Sequence, residues 1–177
     1  MVHNLCPGSL TRHSWHMSDS GAADDTPFTR LVFELNLISR HFPTTTRRRP
    51  GFLLDRSAFL ILTRLDLGEP LSLRELSESF QLDISTINRQ VGAMLKQELV
   101  QRVPDPDGGV ARKIKTTADG KAALEADRRH RSSDIGKVVA DWDVDDVADL
   151  SRLMRKFNRS VEQLEENPWP RPPRSDS

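Results

Sequence analysis

Ser85, Thr86, Asn88, Arg89 and Lys96 bring hydroxyl, amide, guanidinium and ammonium groups into one short stretch of chain. Ile84, Ile87, Val91 and Met94 recur through that stretch at intervals of three, four and three. At about 100° per residue these four share one helix face and are predicted to pack inward. Ser85, Arg89 and Lys96 then point away from them, with Thr86 and Asn88 on the flanks and Gly92 and Ala93 between. Nothing bulky or acidic interrupts this outer face. It matches the hydrogen-bonding needs of base edges: Arg89 can donate twice to guanine, Asn88 can pair with adenine, and Ser85 and Thr86 can bond bases or phosphates. On an isolated amphipathic helix the same residues would be ordinary solvated side chains, so the neighbouring elements decide.

Those neighbours form a recognisable order. Ser72 and Glu75, spelled S-L-R-E, make a capping box that opens a helix, with Leu73, Leu76 and Phe80 on its buried stripe. Gln81 and Leu82 leave room only for a sharp turn, and Asp83 is the expected cap of the helix that carries Arg89. A half-apolar strand follows from Leu99 to Val103, then turn-forming residues from Pro104 to Gly109, then a second strand from Val110 to Thr116. Ile114 should face inward, with Lys113 and Lys115 on the other side. Helix, turn, helix and hairpin in this order predict a winged helix-turn-helix and double-stranded DNA as its partner. The expected backbone contacts are Ser72, Lys96, Arg112, Lys113 and Lys115.

Three segments, S-L-R-E-L-S-E-S-F-Q-L-D-I-S-T-I-N-R-Q-V, E-L-V-Q-R-V-P-D-P-D and T-T-A-D-G, make the chain resemble the MarR family of transcriptional regulators from roughly Phe28 to Leu164. The resemblance implies a mostly α fold with a small β-wing, a winged helix-turn-helix joined to a helical dimerisation lobe. It also implies a homodimer that binds a pseudo-palindromic operator, usually as a repressor, and release in many members by small aromatic or phenolic effectors. Thr117 would cap a long fifth helix with Gly120 in its first turn. Two positions depart from the family pattern. Gly108, Gly109 and Val110 stand where such wings carry an acidic residue and paired arginines, so a minor-groove arginine is not assured, although Arg112 lies nearby. Glu98 replaces a common glycine, and a left-handed backbone there would cost about 1 kcal/mol relative to glycine.

Outside this module, Phe28, Leu31, Leu35, Ile38 and Phe42 keep three-four spacing, as do Val147, Leu150, Met154, Phe157, Val161 and Leu164. Such seams pair with other helices, either within the subunit or across a dimer. The resemblance favours the dimer, with Leu31, Leu35, Ile38, Val147, Leu150, Met154, Phe157 and Val161 at the interface. Asp55 to Asp66 supplies Ala58, Phe59, Leu62 and Leu65 as an inward stripe. From Thr117 to about Trp142 runs a polar helix with Arg128, Arg129, His130 and Arg131, which resembles a connecting rod able to carry motion between dimer lobe and DNA lobe, although a solvated arginine cluster is the more economical reading. Phe33, Phe59 and Trp142 are the candidate lining of an effector crevice, though core packing explains them more simply.

The expected organisation is a loose tail over 1–27, a MarR-like domain over 28–166 and a second loose tail over 167–177. The winged helix occupies about 54–117, and dimerisation helices occupy about 28–43 and 118–166. The amino-terminal tail lacks an apolar secretory core or a membrane span, which points to a cytoplasmic protein, and Met17 is a candidate start because no predicted element precedes it. The 177 residues carry equal totals of basic and acidic side chains, 26 of each, which argues against promiscuous polyanion binding. The catalytic signatures sought are missing: no Gly-rich phosphate loop, no G-x-S-x-G and no H-E-x-x-H, so neither an enzyme nor a cofactor is expected. Cys6 is the single cysteine and shares the tail with His3, His13 and His16, leaving His41 and His130 elsewhere, so no metal site is expected. The competing reading from a different class is a winged-helix protein-interaction module that never touches DNA.

Overall fold

A computed structural model describes residues 26–41, 51–106, 108–110 and 112–171. The chain divides into two units, residues 1–43 and 44–177. The described part of the first is α1 (Pro27–His41). Pro27, placed in the tail by the sequence reading, is instead the first helical residue, where its missing N–H costs nothing. Thr26 Oγ1 accepts from the Thr29 N–H at 3.2 Å. No residue of α1 is buried within the chain. Phe42, Cys6, His3, His13, His16 and Met17 lie outside the described residues.

The second unit begins its regular structure with α2 (Arg56–Asp66), α3 (Leu73–Phe80) and α4 (Ile84–Lys96). A two-stranded antiparallel wing, β1 (Val100–Val103) and β2 (Lys113–Thr116), follows, and then α5 (Ala118–Val138) and α6 (Val144–Leu164). Asp55 caps α2 by accepting from the Ala58 N–H at 2.8 Å. Ser72 and Glu75 form the predicted capping box at the start of α3, with both bonds present. Asp83 precedes α4 as expected but makes no side-chain cap bond. The wing strands are shorter than predicted because pairing runs only from Val100↔Thr116 to Val103↔Lys113.

The core gathers side chains from every element between α2 and α5. Ile61, Leu62, Leu76, Ile87, Val91, Ile114 and Leu124 are each 1% exposed or less. Burial of a side chain this size stabilises by roughly 1.5–3 kcal/mol. Ile61 was not in the predicted stripe of α2, whereas Phe59, which was, is only partly buried at the core's edge. The wing is tied to the helices through backbone: Leu71 and Ile114 exchange bonds of 3.1 and 2.6 Å. Thr117 accepts from the Gly120 N–H at 3.0 Å while its hydroxyl donates to the Glu98 carbonyl at 2.6 Å. Gly120 is required here, since a Cβ would sit 2.0 Å from the Leu99 carbonyl oxygen.

Two of the α5 arginines, Arg128 and Arg131, are held rather than solvated, whereas Arg129 is exposed. Arg128 bonds Asp66 and Glu125, both at 2.7 Å. Burial alone would lower its pKa, but the hydrogen bonds it donates to Asp66 and Glu125, with the charges of both carboxylates, outweigh that and raise it. The Arg131 guanidinium lies 3.9 Å from the Phe59 ring centre and 4.7 Å from that of Phe52. His130 meets the Phe52 ring edge-on at 4.6 Å. Asp127, 1% exposed, accepts from the N–H groups of Leu53 and Leu54 at 2.8 and 3.1 Å. The tail expected to be loose from 167 onward is instead packed from Asn167 to Arg171, with the Trp169 ring edge-on to Phe80 at 5.1 Å. Positions 172–177 lie outside the described residues.

Candidate nucleic-acid interface

α4 is positioned by three side chains. Ile87, Val91 and Met94 are 2% exposed or less and hold the helix against α2 and α3. Ile84, predicted to join them, is 53% exposed. It is the first residue of the helix, where the buried stripe has run past the elements that cover it. The outer face is otherwise as predicted: Ser85, Asn88, Arg89, Ala93 and Lys96 are exposed, and Thr86 and Gly92 are half-exposed. The turn before it is built by Gln81 in the left-handed conformation, φ 51°, and by the Ser77 hydroxyl donating to the Leu82 carbonyl at 2.5 Å. Gln90, between the two faces, donates from Nε2 to Ser57 Oγ at 3.2 Å and ties α4 to the start of α2.

Among the described residues, Arg89, Lys96, Arg102, Arg112 and Lys115 have no carboxylate partner. All five are exposed. They are cations whose charge is not already spent, which is what contact with phosphates or base edges requires. Arg102, on β1, pairs with Ile114 and so shares that residue's sheet face rather than the face of Lys113 and Lys115, although its own side chain is exposed.

Lys113 differs from Lys115 although both lie on the strand face opposite Ile114. Its side chain is only 11% exposed, with Nζ 3.3 Å from Asp105 and 3.7 Å from Glu75. Alternation gave the side correctly but not what covers that side: the start of α3 and the end of β1 do. Lys113 is therefore a clamp between wing and helix rather than a free phosphate ligand. Hydrogen bonds from the Ser72 backbone and then its side chain, with Lys113 adding charge, hold the Glu75 carboxyl below its ordinary 4.5. The Ser72 oxygen is occupied by its cap bond to the Glu75 N–H at 3.1 Å. Ser72 thus retains only its hydroxyl proton for a phosphate.

At the wing tip Gly108 has φ 80°, and a Cβ on Gly109 would lie 2.3 Å from the Asp105 carboxylate. Asp105, which sequence reading passed over, thus underlies the tip and holds Lys113 at once. Val110 projects fully into solvent. Arg112 is exposed at the base of the tip. Glu98 is left-handed, φ 57°.

Two of the three candidate effector residues, Phe59 and Trp142, lie in different surroundings within their own unit. Phe59 sits under Arg131, Trp142 borders a shallow acidic depression with Asp141 and Asp146, and Phe33 is 60% exposed on α1 of the other unit. The α6 seam is unburied: Val147, Leu150 and Phe157 are 37–43% exposed, and Met154 and Val161 are intermediate. On α1, Leu31 and Ile38 are exposed and Leu35 is intermediate. Among the described residues no group of His, Cys, Asp and Glu could hold a metal ion, and no helix is long and apolar enough to cross a membrane.

Comparison with known proteins agrees with this geometry. Residues 54–108 match the profile of the MarR family. The HTH-type transcriptional regulator YxaD of Bacillus subtilis (strain 168), itself uncharacterized, is 31% identical over 139 residues, covering 77% of this chain and 96% of YxaD. A MarR family protein from Bacillus stearothermophilus superimposes with a TM-score of 0.61 at 25% identity, over 75% of this chain and 96% of that one. Wild-type apo MarR from E. coli gives 0.59 at 20% identity, over 75% and 97%, a likeness of fold. With an exposed polar outer face on α4, a wing following it and a relative matched over nearly its whole length, the chain belongs to the MarR family of DNA-binding transcriptional regulators.

Proposed function

We propose that the chain acts in the cytoplasm as a homodimeric repressor that binds a pseudo-palindromic operator and occludes a promoter. In this reading α4 enters the major groove, where Arg89 and Asn88 read base edges and Ser85 and Thr86 bond bases or phosphates. Lys96, Arg112 and Lys115 meet the backbone, with the Ser72 hydroxyl donating a hydrogen bond to a phosphate. The observation that carries the reading is that Arg89 is exposed on the face opposite Ile87 and Val91, with no carboxylate competing for it. Dimerisation is supported by the apolar seams of α1 and α6, which no described element of their own unit buries. A two-fold dimer would set two copies of α4 about 34–36 Å apart, one turn of duplex. Release by a small aromatic effector is the regulatory half of the reading, and it requires only a ligand with unequal affinity for two dimer geometries.

In vitro selection from a random duplex pool, paired with mass measurement in solution, tests the proposal. An enriched inverted repeat bound by two chains supports it. A protein that enriches no sequence, and whose only retention on DNA is insensitive to salt, would favour a protein-interaction module instead.

A further inference from the structure

Resting on that operator reading, we infer that Asn167–Arg171 is a strap that fixes α6 to the reading head, the winged helix of α2, α3, α4, β1 and β2, with Trp169 its positioning residue, and so sets which operator half-site spacing the dimer accepts.

Within its own unit, α6 shares no extended packing with another described helix. Its end is nevertheless held. Glu166 turns left-handed, φ 53°, and the Asn167 N–H returns to the Glu162 carbonyl at 3.0 Å. The Arg171 guanidinium then grips both oxygens of Glu162 at 2.8 and 2.5 Å, folding the chain back along α6. That fold delivers Trp169 edge-on to Phe80 and Asn167 Nδ2 to the Ser79 carbonyl at 3.3 Å. Ser79 and Phe80 form the last turn of α3, and only the Gln81–Asp83 turn separates them from α4. Phe80 also packs on the core. Beside the strap a crevice of ≈ 330 Å³ remains between Ser79, Phe80, Asn158 and Val161. The strap therefore bridges an unfilled gap.

The mechanical consequence follows from counting attachments. α5 joins the reading head to α6 through the chain itself, and one covalent attachment leaves the angle between them free to swing. The strap supplies a second attachment at the far end of α6. In a two-fold dimer built on α6, that angle sets the separation of the two α4 helices. One base pair more or less between half-sites displaces the target by about 3.4 Å and rotates it by roughly 35°. A dimer with its strap seated penalises that change, and one with a freed strap tolerates it.

The test measures binding of the full chain to operators with zero, one more or one fewer base pair between half-sites, and to a single half-site. Trp169→Ala should weaken binding at the preferred spacing by about 2- to 12-fold, the equivalent of an aromatic pair. It should also shrink the penalty for altered spacing while leaving single half-site affinity and salt slope unchanged. Arg171→Ala, which unseats the strap from α6 without touching the reading head, should do the same, and Trp169→Phe should restore the spacing penalty. A sharp wild-type spacing preference preserved in both alanine variants would overturn the strap alone, as would equal losses on full and single half-sites. A wild type indifferent to spacing would sink the dimeric operator reading, and the strap's role with it.

Discussion

Helices α4 and α6 obey the same spacing rule and meet different fates. Ile87, Val91 and Met94 of α4 are sealed in the core, whereas Val147, Leu150 and Phe157 of α6, on an equally regular stripe, stay more than a third exposed. Periodicity therefore states that a face will be covered, not by what. For α4 the cover is encoded nearby: a short helix, a tight turn and a hairpin all fold within reach. For α6 and α1 no described element of their own unit supplies it. A winged helix that is complete in itself, in a chain whose first and last helices are not, is what a regulator assembled from two copies would need.

The largest expected effect would break the first half of this contrast. Ile87→Ala should lower unfolding free energy by about 2–5 kcal/mol, because the cavity opens in a fully packed site. Chemical denaturation measures it, and a loss below about 1 kcal/mol would mean that the core is looser than described. Leu150→Asp sharpens the other half. If copies bury the α6 seam, the wild-type unfolding midpoint rises with protein concentration, and the variant should lose that dependence. A midpoint independent of concentration in the wild type would argue for a monomer.

Next in size, Arg89→Ala should weaken binding to a selected operator by about 1–3 kcal/mol and relax sequence preference while leaving the melting temperature unchanged. Undiminished affinity would remove Arg89 from the base-reading set. Glu98→Gly should stabilise the fold by about 1 kcal/mol, since the left-handed backbone at that position suits glycine. The smallest effect is a pH dependence. Glu75 is held below its ordinary 4.5 in the folded chain, so its stabilising contribution is complete above about that value and is lost as pH falls through the lower folded pKa. Glu75→Gln keeps an acceptor for the Ser72 N–H but cannot titrate, so acid unfolding monitored by circular dichroism should have a shallower slope.

Several local features were legible because their causes are local. The capping box of Ser72 and Glu75, the Thr117 cap and the inward face of α4 each follow from residues within a turn or two of each other. The inward face of α5 was not legible, for a different reason. Gly120, Leu124, Asp127 and Arg131 lie on one helical stripe facing the unit's interior, but polar residues occupy half of it, so a search for apolar spacing passes over it. Asp127 is tolerable there because two backbone N–H groups satisfy its carboxylate. Arg131 is tolerable because its guanidinium lies over aromatic rings.

What the chain's order of residues determined alone was the type of each element and which face of α4 turns away from the interior, since both depend on neighbours three and four positions apart. Which of two equivalent-looking lysines stays free, Lys115 or Lys113, depended on Glu75 and Asp105, the first of them 38 residues before Lys113. Whether a proline-rich end hangs loose or carries Trp169 onto Phe80 was likewise decided only when α6 returned beside α3. Contacts between distant segments depend on the geometry of everything between them, and a one-dimensional pattern does not carry that geometry.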